Sequence, residues 1–231
     1  MPDSVQTPTR LRIDFVSDVV CPWCAIGLAA LEQALERTRG EVEADIHFQP
    51  FELNPQLGAA GEDVAEHLQK KYGMSAEQLA ASQEAIRQRG AALGFTFDMA
   101  RRRRVHNTFD AHRLLHWAEV EGKQRELKHA LLRAYFTEGR DVSGHDTLVD
   151  IATSVGLPAD RVREILVSDA HAEDVRTGEQ FFLQQGIHAV PAVIIERKHL
   201  ISGGQPVEVF EQALRQIAGI SGSGSLLVSL R

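Results

Sequence analysis

Cysteine is nearly absent from this chain: Cys21 and Cys24 are the only two in 231 residues. Two cysteines three positions apart cannot form a framework of disulfide staples, so the pair is either redox-active or metal-binding. Basic residues are outnumbered, 25 Lys and Arg against 32 Asp and Glu, and the formal net charge of −7 speaks against nucleic acid or an anionic membrane as the main partner. No apolar run approaches the ~18 residues needed to cross a bilayer. The opening residues Met1 to Pro8 lack the basic and apolar regions of a signal peptide, and the expectation is a cytoplasmic protein. Internal repeats are absent. A hydrophobic content of 43% with 25% charged residues is that of an ordinary soluble protein, long enough for one large domain or two modest ones.

What is present concentrates on Cys21-Pro22-Trp23-Cys24. Leu11, Ile13 and Phe15 alternate with charged residues just before it, as in a half-buried strand, and Leu28, Leu31 and Leu35 follow at helical spacing. The pair therefore lies where a strand hands over to a helix. There the unpaired N–H groups and the helix dipole favour an anion, which should lower the pKa of Cys21 and make it the attacking sulfur. Pro22 suits the first helical position, and Cys24 is expected to lie deeper.

Farther along, Val42, Ala44, Ile46 and Phe48 alternate with polar residues as a second strand, ended by Pro50 and by Asn54-Pro55. From about Glu62 to Gln185 the pattern is helical throughout. Ser75 with Gln78, and Ser143 with Asp146, read as helix-starting caps. Strand character returns at Ala192–Ile195 and His199–Ser202, a hairpin turning at Glu196-Arg197-Lys198, before a last helix opened by Pro206. The order is β-α-β, a long helical stretch, then β-β-α. The expected class is α/β: a four-stranded sheet from residues 11–61 and 187–220, an inserted all-helical domain over 62–186, and a flexible tail over 221–231.

Other candidates have plainer readings. A zinc site on the two cysteines lacks two further ligands at finger spacing, so no metal is expected. His112 and His116 stand four apart on one helix, a spacing that can hold a metal, but with no third ligand evident along the chain they read as a surface or groove pair. Arg101 to Arg104 read as a solvated helix end, Trp23 as a half-exposed contact beside the sulfur, Trp117 as core, and Phe181 and Phe182 as core first and groove second. Asp18, three residues before Cys21, reads as a cap for the helix turn, or as a group that tunes Cys21.

Four stretches resemble the DsbA-like thioredoxin-fold family, and its FrnE-type oxidoreductase branch in particular. They are Asp18 to Cys24 with Gly27; Phe51-Glu52-Leu53-Asn54-Pro55; Asn107 to Leu114; and Val190-Pro191 with Ser202-Gly203-Gly204-Gln205-Pro206. The resemblance implies a thioredoxin fold and thiol–disulfide oxidoreductase activity with Cys21 and Cys24 catalytic. It also implies a cis-Pro191 facing the cysteines, a Val190 backbone that pairs with substrate, and a helical insertion shaping a substrate groove. Asn54, Asn107, His112 and Arg113 are its candidate groove residues here, with Asp18 beside them. The implied partners are protein or small-molecule disulfides and thiols. No cofactor is implied beyond glutathione as a cosubstrate, and the oligomeric state is left open.

Two departures qualify the resemblance. Additional relay cysteines found in some relatives are missing, so a relay must use another protein or glutathione. Pro-Trp replaces the Pro-His of periplasmic members, which predicts a less oxidising couple. The alternative is a glutathione-dependent enzyme like the 2-hydroxychromene-2-carboxylate isomerases and kappa-class glutathione transferases, where a serine is expected at the position of Cys21.

Overall fold

The protein is described here by a computed structural model covering residues 7–58 and 60–220, so the tail assigned to 221–231 lies outside the described residues. β1 (Thr9–Ser17) occupies the interior of a four-stranded sheet in the order β2-β1-β5-β6, with β2 at Val42–Pro50, β5 at Ala192–Ile195 and β6 at His199–Ser202. β2 runs parallel to β1, pairing Thr9 with Val42 through to Ser17 with Pro50. β5 is antiparallel to β1, and β6 to β5. A parallel pair needs a crossover, and α1 (Pro22–Arg37) supplies it.

The pleat sends Leu11, Ile13 and Phe15 to one face and Arg12, Asp14 and Val16 to the other. Phe15 meets Phe48 of β2 edge-to-face, their ring centres 5.8 Å apart. α1 buries Ile26, Leu28, Leu31 and Ala34 and packs along α9 (Val207–Ile217). It ends at Thr38, whose hydroxyl donates to the Ala34 and Leu35 carbonyls and so satisfies groups the helix leaves open. The hairpin turn places Glu196 and Arg197 both at positive φ, the backbone of a type I′ turn, and the Glu196 carboxylate accepts the Arg12 N–H.

Between β2 and β5 lie α2 (Val64–Tyr72), α3 (Ala76–Ala92), α4 (Phe109–Val120), α5 (Gln124–Phe136), α6 (His145–Ser154), α7 (Ala159–Val167) and α8 (Ala172–Gln184). Their core is continuous with that of the sheet: one cluster of buried side chains runs from Ile13 and Leu31 to Leu114, Leu131 and Ile151. The capping box of Ser75 and Gln78 is formed as expected. That of Ser143 and Asp146 is not. Asp141 takes the role instead, accepting the Ser143 and Gly144 N–H groups, because the chain turns one residue before the helix begins at His145.

Three further expectations are corrected. The insertion is not wholly helical: Glu62–Asp63 (β3) pairs antiparallel with Arg104–Val105 (β4). Arg101 to Arg104 form no helix end: they run from a turn into β4, and Arg102 alone of the four is buried. Arg101 pairs with Asp98, Arg102 is buried with its Nε donating to the Tyr135 hydroxyl, and the Arg104 guanidinium donates to the Ala60 and Gly61 carbonyls. Phe181 is not core; it is 54% exposed, and only Phe182 is buried.

Candidate active site

α1 begins at Cys21, which is its N-cap with extended backbone (φ −90°, ψ 113°), and Pro22 fills the first helical position. Cys24 sits one turn in, its N–H donating to the Cys21 carbonyl at 3.1 Å. Both thiols are free and buried. The Cys21 thiol donates to the Val190 carbonyl at 3.7 Å, and the Val190-Pro191 peptide bond is cis. The Pro191 carbonyl in turn accepts the Gly203 N–H at 2.8 Å.

Two glycines permit this approach. A methyl group at Gly27 would come within 3.1 Å of the Pro191 ring, and one at Gly204 within 2.9 Å of the Trp23 carbonyl. Trp23 is half-buried under the Arg89 guanidinium, which stacks 5.1 Å from its ring centre. An arginine of α3, from the insertion, thus covers the residue between the two cysteines.

Beneath the sulfurs lies a buried polar cluster. Asp18 does not cap α1, whose N-cap makes no side-chain bond. Its carboxylate turns inward, accepting the Leu53 N–H at 2.8 Å and lying 3.4 Å from the His112 Nε2. The reason is the FELNP stretch, which brings an unpaired backbone donor against the Asp18 side chain. Lys128 of α5 completes the cluster, wholly buried, with its ammonium 5.8 Å from the centre of the Phe48 ring.

Among the described residues, Asp18 Oδ1, His112 Nε2 and Lys128 Nζ have no hydrogen-bond partner on the protein. Burial pushes the Cys24 thiol well up, the neighbouring Cys21 adds to this, and the Lys128 charge opposes it. Burial pushes Lys128 down against the pull of Cys24, Asp18 and Cys21. It also works against the Asp18 carboxylate, but the His112 contact, the Leu53 N–H and Lys128 together hold its pKa below the usual value.

The expected groove residues separate. His112 joins the cluster. Asn54 is buried, accepting the Lys71 ammonium at 2.7 Å. Asn107 takes the Phe109 N–H at 2.9 Å, which starts α4, and donates to Glu52 at 3.2 Å. Arg113 does not reach a groove. It is 4% exposed, and its guanidinium donates to the carbonyls of Ile165, Ser168 and Ala170, closing the end of α7 onto α4.

Several neighbours of the site escaped sequence reasoning. Lys128 looks like a surface lysine, though it stands four residues after the buried Gln124 and four before Leu132, within the buried stripe of α5. Tyr72, at the end of α2, is 59% exposed, and burial of its hydroxyl, with the neighbouring Cys21 adding to it, raises its pKa. Glu52 and Glu179 share Arg176, whose guanidinium stacks 3.8 Å from the Phe109 ring centre. Burial and the neighbouring Glu179 carboxylate raise the Glu52 pKa.

A dithiol at the first strand-to-helix junction, facing a cis-proline across the end of a β2-β1-β5-β6 sheet, defines a thioredoxin-fold protein with a helical insertion. The model of the DSBA-like thioredoxin domain matches residues 12–215, and the chain belongs to that family. It is similar to a probable DsbA oxidoreductase from Streptomyces coelicolor, with 37% identity and a TM-score of 0.84 over 94% of this chain and 93% of that one. More distant likenesses show the fold alone. The cytosolic disulfide reductase DsbM from Pseudomonas aeruginosa, solved with GSH, is 17% identical with a TM-score of 0.61 over 90% of this chain and 98% of its own. A 2-hydroxychromene-2-carboxylate isomerase is 15% identical, with a TM-score of 0.66 over 91% of this chain and 100% of its own. No helix among the described residues is long and apolar enough to cross a membrane.

Proposed function

We propose that this protein is a thiol–disulfide oxidoreductase in which Cys21 exchanges with substrate and Cys24 resolves the mixed disulfide. The observation that carries the reading is the position of Cys21: at the N-cap of α1, bonded to the Val190 carbonyl beside cis-Pro191, with Cys24 buried one turn below. In the reducing direction the Cys21 thiolate attacks a substrate disulfide, forming a mixed disulfide and releasing one substrate thiolate. Cys24 then loses its proton and attacks the Cys21 sulfur, leaving a Cys21–Cys24 disulfide and the second substrate thiolate. Two electrons pass to the substrate. Oxidation is the reverse.

Burial makes Cys24 reluctant to ionise, so the second step needs compensation. Lys128 provides it as the buried charge of opposite sign, and the unpartnered Asp18 Oδ1 is an acceptor within the same cluster. The substrate backbone pairs at Val190, and Trp23, Pro191 and the exposed Tyr72 form the contact surface. Protein disulfides or small thiols are the substrates. Glutathione is the proposed cosubstrate, a reading supported by the glutathione-bound fold neighbour. A reducing, cytoplasmic setting suits a dithiol without a relay cysteine.

Cys21→Ser should abolish turnover of a disulfide substrate, and Cys24→Ser should accumulate mixed disulfides visible by mass spectrometry. Turnover surviving in Cys21→Ser overturns the assignment. A potential measured in glutathione buffers sets the direction. A value near −270 mV makes the protein a reductase, and one near −120 mV a disulfide donor. A dithiol that forms no disulfide at all in those buffers favours the second reading, a glutathione-dependent isomerase or transferase, which the isomerase fold neighbour supports.

A further inference from the structure

The second histidine of the α4 pair turns away from the dithiol. His112 faces Asp18, whereas His116, one turn later, faces the start of α8 and meets His171 and Asp174. The ligand atoms of these three residues all lie within 4.8 Å of one another. The Asp174 Oδ2 is 3.6 Å from the His116 Nε2 and 3.4 Å from the His171 Nδ1. Those separations exceed the ~2.7–3.2 Å of good N–H···O bonds. They are close to the ~3.3 Å edge of a tetrahedron whose donors sit at ~2.0–2.1 Å from a central ion.

We propose that His116, His171 and Asp174 bind a divalent transition metal of the zinc class. Two imidazoles and one carboxylate are a ligand set that zinc accepts, with three protein ligands and one position left for water or substrate. The His171 Nδ1 makes only a long 3.4 Å hydrogen bond with the Asp174 Oδ2, which an ion would replace, and the His171 Nε2 is buried with no hydrogen-bond partner on the protein. His116 and Asp174 also line a cavity of about 720 Å³ between α8 and the sheet, whose wall carries Glu119 and Glu173 as well. Along that wall the carboxylates of Asp14, Glu119, Glu173 and Asp174 outnumber the guanidinium groups of Arg12 and Arg197, which favours a cation. Neither cysteine lines it, so this site is separate from the dithiol.

Zinc binds thiolates, so the test uses the full chain carrying Cys21→Ser and Cys24→Ser. Calorimetric titration with zinc chloride should show one ion bound per chain. His116→Ala, His171→Ala and Asp174→Asn should each weaken binding more than ~10-fold, the least expected for a direct ligand when outer-shell partners already cost that much. His188→Ala, an exposed histidine elsewhere, should leave it unchanged. Saturating zinc should raise the melting temperature of the parent but not of the triad variants, and their metal-free melts establish that they are folded. Cobalt(II) at the site should give the intense visible absorption of a tetrahedral centre. Absence of saturable uptake, or uptake that survives all three substitutions, overturns the proposal. Either outcome leaves the dithiol reading untouched, because the cysteines are absent from the protein under test.

Discussion

Two polar clusters are walled into this protein near β1, and they are built on opposite principles. Along the strand, Arg12 grips Asp14 through one guanidinium edge, its Nη2 and Nε donating at 2.7 and 3.1 Å, and its Nη1 meets His47 at 3.0 Å. His47 bonds Glu119, and Gln49 donates to Asp14 at 2.8 Å. Each charged head in that cluster has a partner of opposite sign or a hydrogen bond. Just past the strand's end, Asp18, His112 and Lys128 each keep a buried polar atom without a hydrogen-bond partner on the protein; Asp18 Oδ1 and His112 Nε2 face each other only as a long 3.4 Å pair. An unpaired buried polar group costs about 1–3 kcal/mol, more when charged. The first cluster therefore fixes strand positions, and the second holds in reserve the bonding capacity that a thiol losing its proton requires.

The sharpest way to break this contrast is Asp18→Asn. The variant keeps an oxygen for the Leu53 N–H but removes the charge that compensates Lys128, and should cost about 3 kcal/mol or more at pH 7. The sign with pH follows from the depressed folded pKa of Asp18. Its contribution is fully present above the unfolded value of about 3.9 and is lost as pH falls through the folded value. Urea unfolding of both proteins at pH 7 and pH 3 should show the gap narrowing in acid. A gap of equal size at both pH values would mean that shape, not charge, is what the carboxylate supplies.

Lys128→Met asks less of stability, since a flexible apolar chain can fill the same buried volume. Its expected effect is on Cys24, which loses the one cation opposing its raised pKa. Release of a trapped Cys21 mixed disulfide should slow roughly tenfold at pH 7, corresponding to about one further pKa unit. The slowed step should recover at higher pH, where the thiol ionises without help. Stopped-flow measurement of thiol release against pH reads this directly. An unchanged pH profile removes Lys128 from the resolving step.

The same contrast explains what could be read in the chain before folding. Cys21, Cys24 and Pro191 stand in local motifs, and the hairpin and the final helix follow from short-range periodicity and turn residues. Asp18 was visible as a residue beside the motif, but its partner is the Leu53 backbone, which no spacing rule locates. Lys128 gives no signal because charged residues on helices are usually solvated, and Arg113 reads as a groove residue only through the family resemblance. Here Lys128 and Arg113 fall within the buried stripes of α5 and α4, among groups supplied by distant segments. His116 shows the limit most clearly: its neighbours His171 and Asp174 come from α8 and its cap, and no pattern within α4 announces them.

The closed cluster supplies the smallest expected effect and the control for the others. Asp14→Asn keeps the side chain's shape and its hydrogen bond from Gln49, but exchanges a charge-assisted pair with a one-third-exposed Arg12 for a neutral one. Solvent screens that guanidinium, so the cost should be about 1 kcal/mol. Disulfide turnover should be unchanged, because no group of this cluster is among those that shift Cys24. If Asp14→Asn slowed resolution of the mixed disulfide as much as Lys128→Met, the two clusters would act as one network through β1. The open valences below the cysteines would then be an accident of packing and not the source of the site's chemistry.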